Sequence, residues 1–385
     1  MQFTPINFTC EGCGAPLKFS PATGKLTCEF CNRSYAVESN THLIREYDLR
    51  SALTQLEQNR PKEITKEITC PNCGSGFTLT PYTTSTNCPY CGTPTITEFV
   101  NKITPESILP FTITHAEAQK IFAKWIGSLW LAPNALKTLV DTDKSLKGYY
   151  LPYWTYDAET STAYRGKRGD IYYVMVQRRR IINGKEQIVT VREPRIRWTP
   201  TAGRVERYFD DVTIEASETL SRKILSALGN WDTSQSKPFD EKYLSGFESE
   251  EYAIGLDNGF EMAQAKMHAI IRRDIRRDIG GDKQQIDQMQ THYANTTYKS
   301  ALFPVWTTHF DFNGKSYYFA INGQSGEITG ERPYSYTKII LLIVMILAIM
   351  AALGYYGEFF DQGGFGTGFD PGFGGGSDSY YYPQM

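Results

Sequence analysis

The chain has 385 residues, 41% hydrophobic and 14% aromatic, with 42 acidic against 40 basic side chains. That is enough apolar material for one or two packed domains with appendages, and it excludes a wholly disordered chain. The mild net charge of −2 gives no support to a whole-surface nucleic-acid binder, which would be clearly basic, and leaves only a local patch for that role.

The charge is unevenly spread. Every Lys and Arg lies at or before Lys338, whereas Glu358, Asp361, Asp370 and Asp378 follow it. Residues 1–7 carry neither the basic segment nor the apolar run of a secretory signal, so the N-terminal part is expected in the cytosol. All eight cysteines fall before residue 92, unlike a disulfide framework spread through a secreted domain.

Those cysteines form two copies of one pattern. Cys10, Cys13, Cys28 and Cys31 are spaced as CxxC, 14 residues, CxxC, and Cys70, Cys73, Cys88 and Cys91 repeat the spacing 60 residues later. Each CxxC forms a knuckle that points two thiolates at one place, and the hairpin between knuckles completes a tetrahedral four-thiolate site. Zinc is expected at both sites, two ions per chain; iron in a rubredoxin-like site is the alternative that thiolate ligands leave open. A ribbon of about 35 residues has too small a core to fold alone, and a structural zinc contributes on the order of 10–16 kcal/mol. Gly12, Gly14, Gly74 and Gly92 beside the ligands suit tight turns. The expected ribbons span residues 1–40 and 67–100.

The spacer between them, residues 41–66, has apolar spacing suited to a short helix, or a strand followed by one, with His42 an ordinary surface histidine. From about residue 101 to 333 the chain reads as an α+β body with a weak internal repeat, residues 101–235 and 236–333. The first copy runs from Pro110-Phe111 through a helix over 116–131 to Leu151-Pro152-Tyr153-Trp154-Thr155. The second runs from Pro238-Phe239 through a helix over 257–280 to Phe303-Pro304-Val305-Trp306-Thr307. Trp154 and Trp306 beside strand-starting prolines are core residues on this reading. A hairpin about Asn313-Gly314 closes the second copy.

Residues 165–207 are the most basic part of the body, and their centre reads as a hairpin about Asn183-Gly184. Arg178, Arg179, Arg180, Lys185 and Arg192 are its candidate contacts for an anionic surface; arginines that merely keep a solvated edge from aggregating are the plainer reading. Ile271, Ile275 and Ile279 form one stripe of a surface helix with Gly280-Gly281 at its end.

No catalytic residue is assigned. GxxxxGK[ST], HExxH, GxSxG and helix-opening GxGxxG are all missing, and the five histidines lack ligand spacing. Asp210-Asp211 could pair as acid and base or bind a metal, but adjacent acids in a loop are usually just solvated. An enzyme is not expected.

Residues 339–357 contain no charged side chain, and at 1.5 Å per residue span about 28 Å, close to the hydrocarbon thickness of a bilayer. A transmembrane helix over 338–357 is expected, with Tyr334, Tyr336, Tyr355 and Tyr356 at its ends. Arg332 and Lys338 precede it and no positive charge follows, which orients the N-terminal side to the cytosol and a short tail outside. The Gly- and aromatic-rich tail, 358–385, is expected to be disordered.

The two cysteine quartets, Leu151-Pro152-Tyr153-Trp154-Thr155, Phe209-Asp210-Asp211-Val212, Asp278-Ile279-Gly280-Gly281-Asp282, Phe303-Pro304-Val305-Trp306 and the C-terminal span together resemble a family of bacterial membrane-anchored tandem zinc-ribbon proteins. Its members are often labelled primosomal-helicase-like or general-transcription-factor-type, a helicase label at odds with the missing nucleotide-binding loop. The resemblance implies an adaptor that brings partners of an envelope-stress system, of the SPFH-domain or PspA type, to the lipid bilayer. A membrane-tethered nucleic-acid-binding protein is the alternative, and homo-oligomerisation is left open.

Overall fold

The computed structural model describes residues 2–362 apart from 4, 38–42, 57–64, 81, 100–102, 135–145, 183–184, 230 and 313. His42, the Asn183-Gly184 turn and residues 363–385 of the tail therefore lie outside the described residues.

In chain order, β1 (Gln2–Phe3) precedes a three-stranded sheet of β2 (Leu17–Ser20), β3 (Lys25–Cys28) and β4 (Ser34–Ala36). The spacer forms β5 (Tyr47–Asp48) running straight into α1 (Leu49–Leu56). The second ribbon contributes β6 (Lys66–Thr69), β7 (Gly76–Leu79), β8 (Thr83–Asn87) and β9 (Pro94–Ile96). The body follows with β10 (Ser107–Ile108), α2 (His115–Ser128), β11 (Lys147–Ile182), β12 (Lys185–Glu215), α3 (Arg222–Ser226), β13 (Lys237–Pro238) and β14 (Glu248–Glu250). It ends with α4 (Leu256–Ile279), β15 (Lys283–Phe312), β16 (Lys315–Asn322) and β17 (Ile328–Gly330), before α5 (Tyr336–Gln362). The mixed α+β class with two N-terminal cysteine centres is as the sequence implies.

The two Pro-Xaa-Trp segments lie side by side. β11 and β15 are antiparallel, and Leu151 faces Phe303, its own counterpart in the repeat; Tyr150 faces Pro304 and Pro152 faces Leu302. A local two-fold axis thus passes between Leu151 and Phe303, relating positions 152 residues apart (151 to 303). The outer edges obey the same symmetry. β14 lies parallel to β11 at Tyr149 and Tyr150, and β10 lies parallel to β15 at Ala301 and Leu302; β12 then pairs from Tyr153 and β16 from Val305. Each half thus supplies a strand to the other.

The register relates Ser107–Ile108 to Glu248–Ser249, not to the neighbourhood of Pro238-Phe239; Pro238 lies on β13, which pairs with β10. The helices begin at matching points, His115 and Leu256, and each tryptophan pins the other half's helix start. Trp154 Nε1 donates to Ile254 O at 2.8 Å and Trp306 Nε1 to Ile113 O at 2.9 Å. Both rings are core, at 0% and 5% exposure. Burying an indole N–H without a partner is costly, so these bonds fix the approach of each helix as well as filling space.

α4 lies along the sheet on one row of buried residues at four-residue spacing, Gly259, Ala263, Met267, Ile271, Ile275 and Ile279. Its close approach needs Gly259, because a Cβ there would lie 2.4 Å from Tyr156 Oη. β11 and β12 continue past the end of α4. β15 leaves β11 at Gly169, so residues 170–182 are paired only with 185–197 and form a two-stranded arm, roughly 40 Å long at ~3.3 Å per residue.

The second ribbon is part of this sheet rather than a bead on a string. Its β8 pairs with β14, and Lys66 Nζ lies 2.9 Å from Glu251 Oε1 with both side chains only 2% exposed. Lys66 also donates to the carbonyls of Thr83 and Glu98 at 3.2 Å. The first ribbon meets the body through one edge, where Phe19 N donates to Ser245 O and Ser245 Oγ to Leu17 O.

α5 and residues 130–133 form a separate compact unit. Within it Lys338 Nζ donates to the carbonyls of Trp130 (3.2 Å) and Ala132 (2.7 Å). The helix continues beyond the expected end at residue 357 to Gln362, and its stretch Tyr336–Gly354 is long and apolar enough to cross a membrane, with apolar side chains such as Ile340 and Leu347 about 60% exposed.

Replacing Lys66 by Met should cost about 3–5 kcal/mol, since it leaves the Glu251 carboxylate buried without its partner. Denaturant unfolding measures this, and adding Glu251→Leu to Lys66→Met should recover most of the loss.

Candidate functional site

The four knuckles share one local geometry. Cys10 O accepts from Gly14 N, Cys28 O from Asn32 N, Cys70 O from Gly74 N and Cys88 O from Gly92 N, all at 2.8–3.0 Å. The residue closing each turn is left-handed: Gly14, Asn32, Gly74 and Gly92 have φ of 72°, 58°, 74° and 73°. Gly12 is not among these positions. Asn32 occupies the fourth place, a conformation that asparagine tolerates better than most side chains. At Gly12 a Cβ would meet only the Arg33 guanidinium, the flexible end of a side chain that can move aside.

In each centre one cysteine of every pair is buried and its partner exposed. Sγ separations are 3.4 Å for Cys10–Cys31, 3.5 Å for Cys13–Cys28, 3.6 Å for Cys70–Cys91 and 3.8 Å for Cys73–Cys88. Four thiolates placed about 2.3 Å from a tetrahedral ion stand about 3.8 Å apart, so both quartets are already shaped for a metal. The surroundings split the thiols of each centre, raising Cys13, Cys31 and Cys70 and lowering Cys10, Cys28, Cys73 and Cys91. The Tyr35 hydroxyl, then the amides of Gly12 and Cys13, hold the Cys10 thiol down at about 6 despite burial, and the Thr93 hydroxyl and amide do the same for Cys91. A closed four-cysteine site leaves no coordination position for a substrate.

A cavity of about 740 Å³ opens where the ribbons meet the body, lined by Phe19 of the first ribbon, Phe77 and Asn87 of the second, and His115, Phe247 and Trp306 of the body. Asn87 Oδ1 is buried there without a hydrogen-bond partner.

A third cluster of ligand-type groups was not legible in the sequence beyond Asp211. Glu46 of the spacer, Asp157 and Asp211 come together around Lys299, whose Nζ lies 3.0 Å from Glu46 Oε1 and 2.7 Å from Asp211 Oδ1. The ammonium supplies the positive charge a metal would bring, and Glu46 and Asp211 raise its pKa against the opposing pull of burial. Asp157 sits at a bulge in β11 and accepts from Asp211 N (2.6 Å) and Thr297 Oγ1 (2.9 Å). The cluster ties the spacer to the sheet. Asp210 is not one of its members, so the adjacent acids 210 and 211 do not act as a pair.

The basic hairpin residues lie on the arm and do not converge on one point. Arg178 pairs with Glu193 at 2.7 Å, Arg179 lies 4.0 Å from Glu186, Arg180 is exposed, and the Arg192 guanidinium stacks 3.7 Å over the Tyr173 ring. The side chain of Lys185 lies outside the described residues. Cross-strand partners share a face. One face carries Ile171, Tyr173, Met175, Ile181, Ile188, Ile196 and Trp198, all 37–78% exposed, with Arg179, Arg192 and Glu186 among them, and the opposite face carries Arg178, Arg180, Arg195 and Arg197 beside Tyr172, Val174, Val176, Val189 and Val191.

No family model and no solved structure matches the chain. It is similar to the uncharacterized protein YdjG of Bacillus subtilis (strain 168), 25% identical over 336 residues that span 87% of this chain and 92% of YdjG.

Two metal equivalents per chain are expected by elemental analysis, and each Cys→Ser pair should remove one. The two losses should differ in consequence. Cys70→Ser with Cys73→Ser should lower the thermal midpoint of the whole body, because β8 is a strand of its sheet, whereas Cys10→Ser with Cys13→Ser should disturb mainly the first ribbon.

Burial, with a lesser contribution from Glu46, pushes Asp157 from 3.8 up to about 6. A carboxyl raised in the folded state stabilises below its unfolded value and loses that contribution as pH rises through the folded one. The spacer should therefore be held more firmly at pH 5 than at pH 8, read as hydrogen-exchange protection of residues 46–48, and Asp157→Asn should remove the difference.

Proposed function

We propose that this protein is a membrane-anchored adaptor, in which two zinc-filled ribbons and the body hold a partner protein at the cytosolic face and the C-terminal helix keeps the assembly at the bilayer. Zinc is the ion of choice for two closed four-thiolate sites with no redox or catalytic demand, although iron binds the same ligands. The observation that carries the reading is the combination, on one chain, of a cavity between two rigid ribbons and a 19-residue apolar helix with bare side chains. Confinement to two dimensions raises the effective concentration of whatever the ribbons hold. Arg332 and Lys338 before the span, and no basic residue after it, favour a cytosolic body. The family resemblance points to SPFH-domain or PspA-type envelope-stress proteins as partners.

The test is fractionation of crosslinked cells. Deleting residues 336–385 should move both this protein and its principal partner to the soluble fraction, while Cys70→Ser with Cys73→Ser should leave the protein in the membrane and release the partner. A partner that stays membrane-bound in both backgrounds refutes the adaptor reading. The competing nucleic-acid reading predicts a crosslinked species that dissociates steeply between about 50 and 200 mM salt, which apolar docking does not.

A further inference from the structure

The arm formed by residues 170–182 and 185–197 has no evident task in holding the fold. It projects beyond the end of α4 and beyond β15, and among the described residues its strands pair only with each other, apart from Ile171 N donating to Asp282 at its base. A ribbon in water would ordinarily expose polar side chains on both faces. Here one face is mainly apolar, with Met175 at 71%, Ile188 at 66% and Tyr173 at 53% exposure beside Ile171, Ile196 and Trp198, and with Arg179 and Arg192 set among them. The other carries arginines at 178, 180, 195 and 197 alongside Tyr172 and valines at 174, 176, 189 and 191.

We propose that this arm is a lipid-binding ribbon that lies along an anionic bilayer surface, its apolar face in the boundary between head groups and acyl chains and its arginines on the lipid phosphates. The proposal rests on the anchoring read above only in that the anchor keeps a bilayer within reach. Three observations favour lipid over protein. Exposed apolar side chains on one face with arginines on and around it are the combination that holds amphipathic segments in the interface plane. Trp198 and Tyr173 are the side-chain types that prefer the head-group layer, and Arg192 lies on the Tyr173 ring, where a guanidinium can stay near phosphate while its stem covers apolar surface. Residues 170–198 hold seven Lys or Arg against three Asp or Glu, an excess that an anionic surface neutralises and a second copy of the arm would double.

The experiment places a photo-crosslinking amino acid at Met175 of the full-length protein in nanodiscs of phosphatidylcholine alone or with phosphatidylglycerol. A lipid adduct at this position is expected in the phosphatidylglycerol discs, reduced at least about tenfold by Arg178→Glu with Arg180→Glu, with the metal content of the variant unchanged. A crosslink to a second chain, no adduct, or an adduct indifferent to both lipid charge and the two reversals overturns the proposal. Alkaline carbonate extraction reads the anchor separately. A protein that resists extraction yet gives no lipid adduct at 175 refutes the arm and leaves the adaptor reading standing.

Discussion

The antiparallel pairing of β11 with β15, in the register that sets Leu151 opposite Phe303, is the constraint on which the rest of the molecule depends. It brings together segments about 150 residues apart, and every outer strand takes its place from it. A slip of one residue would turn Trp154 and Trp306 from the core to the opposite face. Because β10 joins β15 and β14 joins β11, neither half of the repeat has a complete sheet without the other. Two tryptophan bonds then set both helices against the paired strands. Folding must accordingly close long loops before most of the core can form, which is the slow route for a chain of this topology.

The metal centres are attached to this framework to different degrees. The first ribbon meets the body through one strand edge and a few rings around Phe19, and the second ribbon through β1 on β6 and the Ile6–Ile96 bridge, whereas the second inserts β8 into the sheet and buries Lys66 against Glu251. An ion bound in the second ribbon would therefore contribute to the fold of the body as well as to its own small core. The cavity between the ribbons and the body exists only because both ribbons are fixed on the same framework.

The acidic cluster around Lys299 shows how charge is managed where the sheet is irregular. The bulge at Asp157 leaves backbone donors that a regular ladder would have used, and Asp157 takes up the amide of Asp211, itself at a positive φ of 49°. Lys299 balances the carboxylates, and Glu46 recruits the spacer to the same place. The spacer thus acts as a tie between the ribbons and the sheet.

What the sequence determined by itself was the chemistry whose partners lie close in the chain. Cysteine pairs two residues apart define a knuckle in any context, 19 consecutive uncharged residues define a helix of bilayer length, and isoleucines four apart define a buried stripe. Even there the left-handed place taken by Asn32 was hidden, because its φ follows from the closed turn and not from its residue type. The tertiary structure alone decided the true register of the repeat, the welding of the second ribbon to the body, the meeting of Glu46, Asp157, Asp211 and Lys299, and the division of the arm into two faces. All of these are pairings between distant strands or consequences of where a neighbouring element stops. The sequence of Lys147–Ile182 does not itself say that the arm begins after Gly169; that place is set by Lys283, the first residue of β15, because a strand's surroundings are set by the partners it finds and not by its own residues.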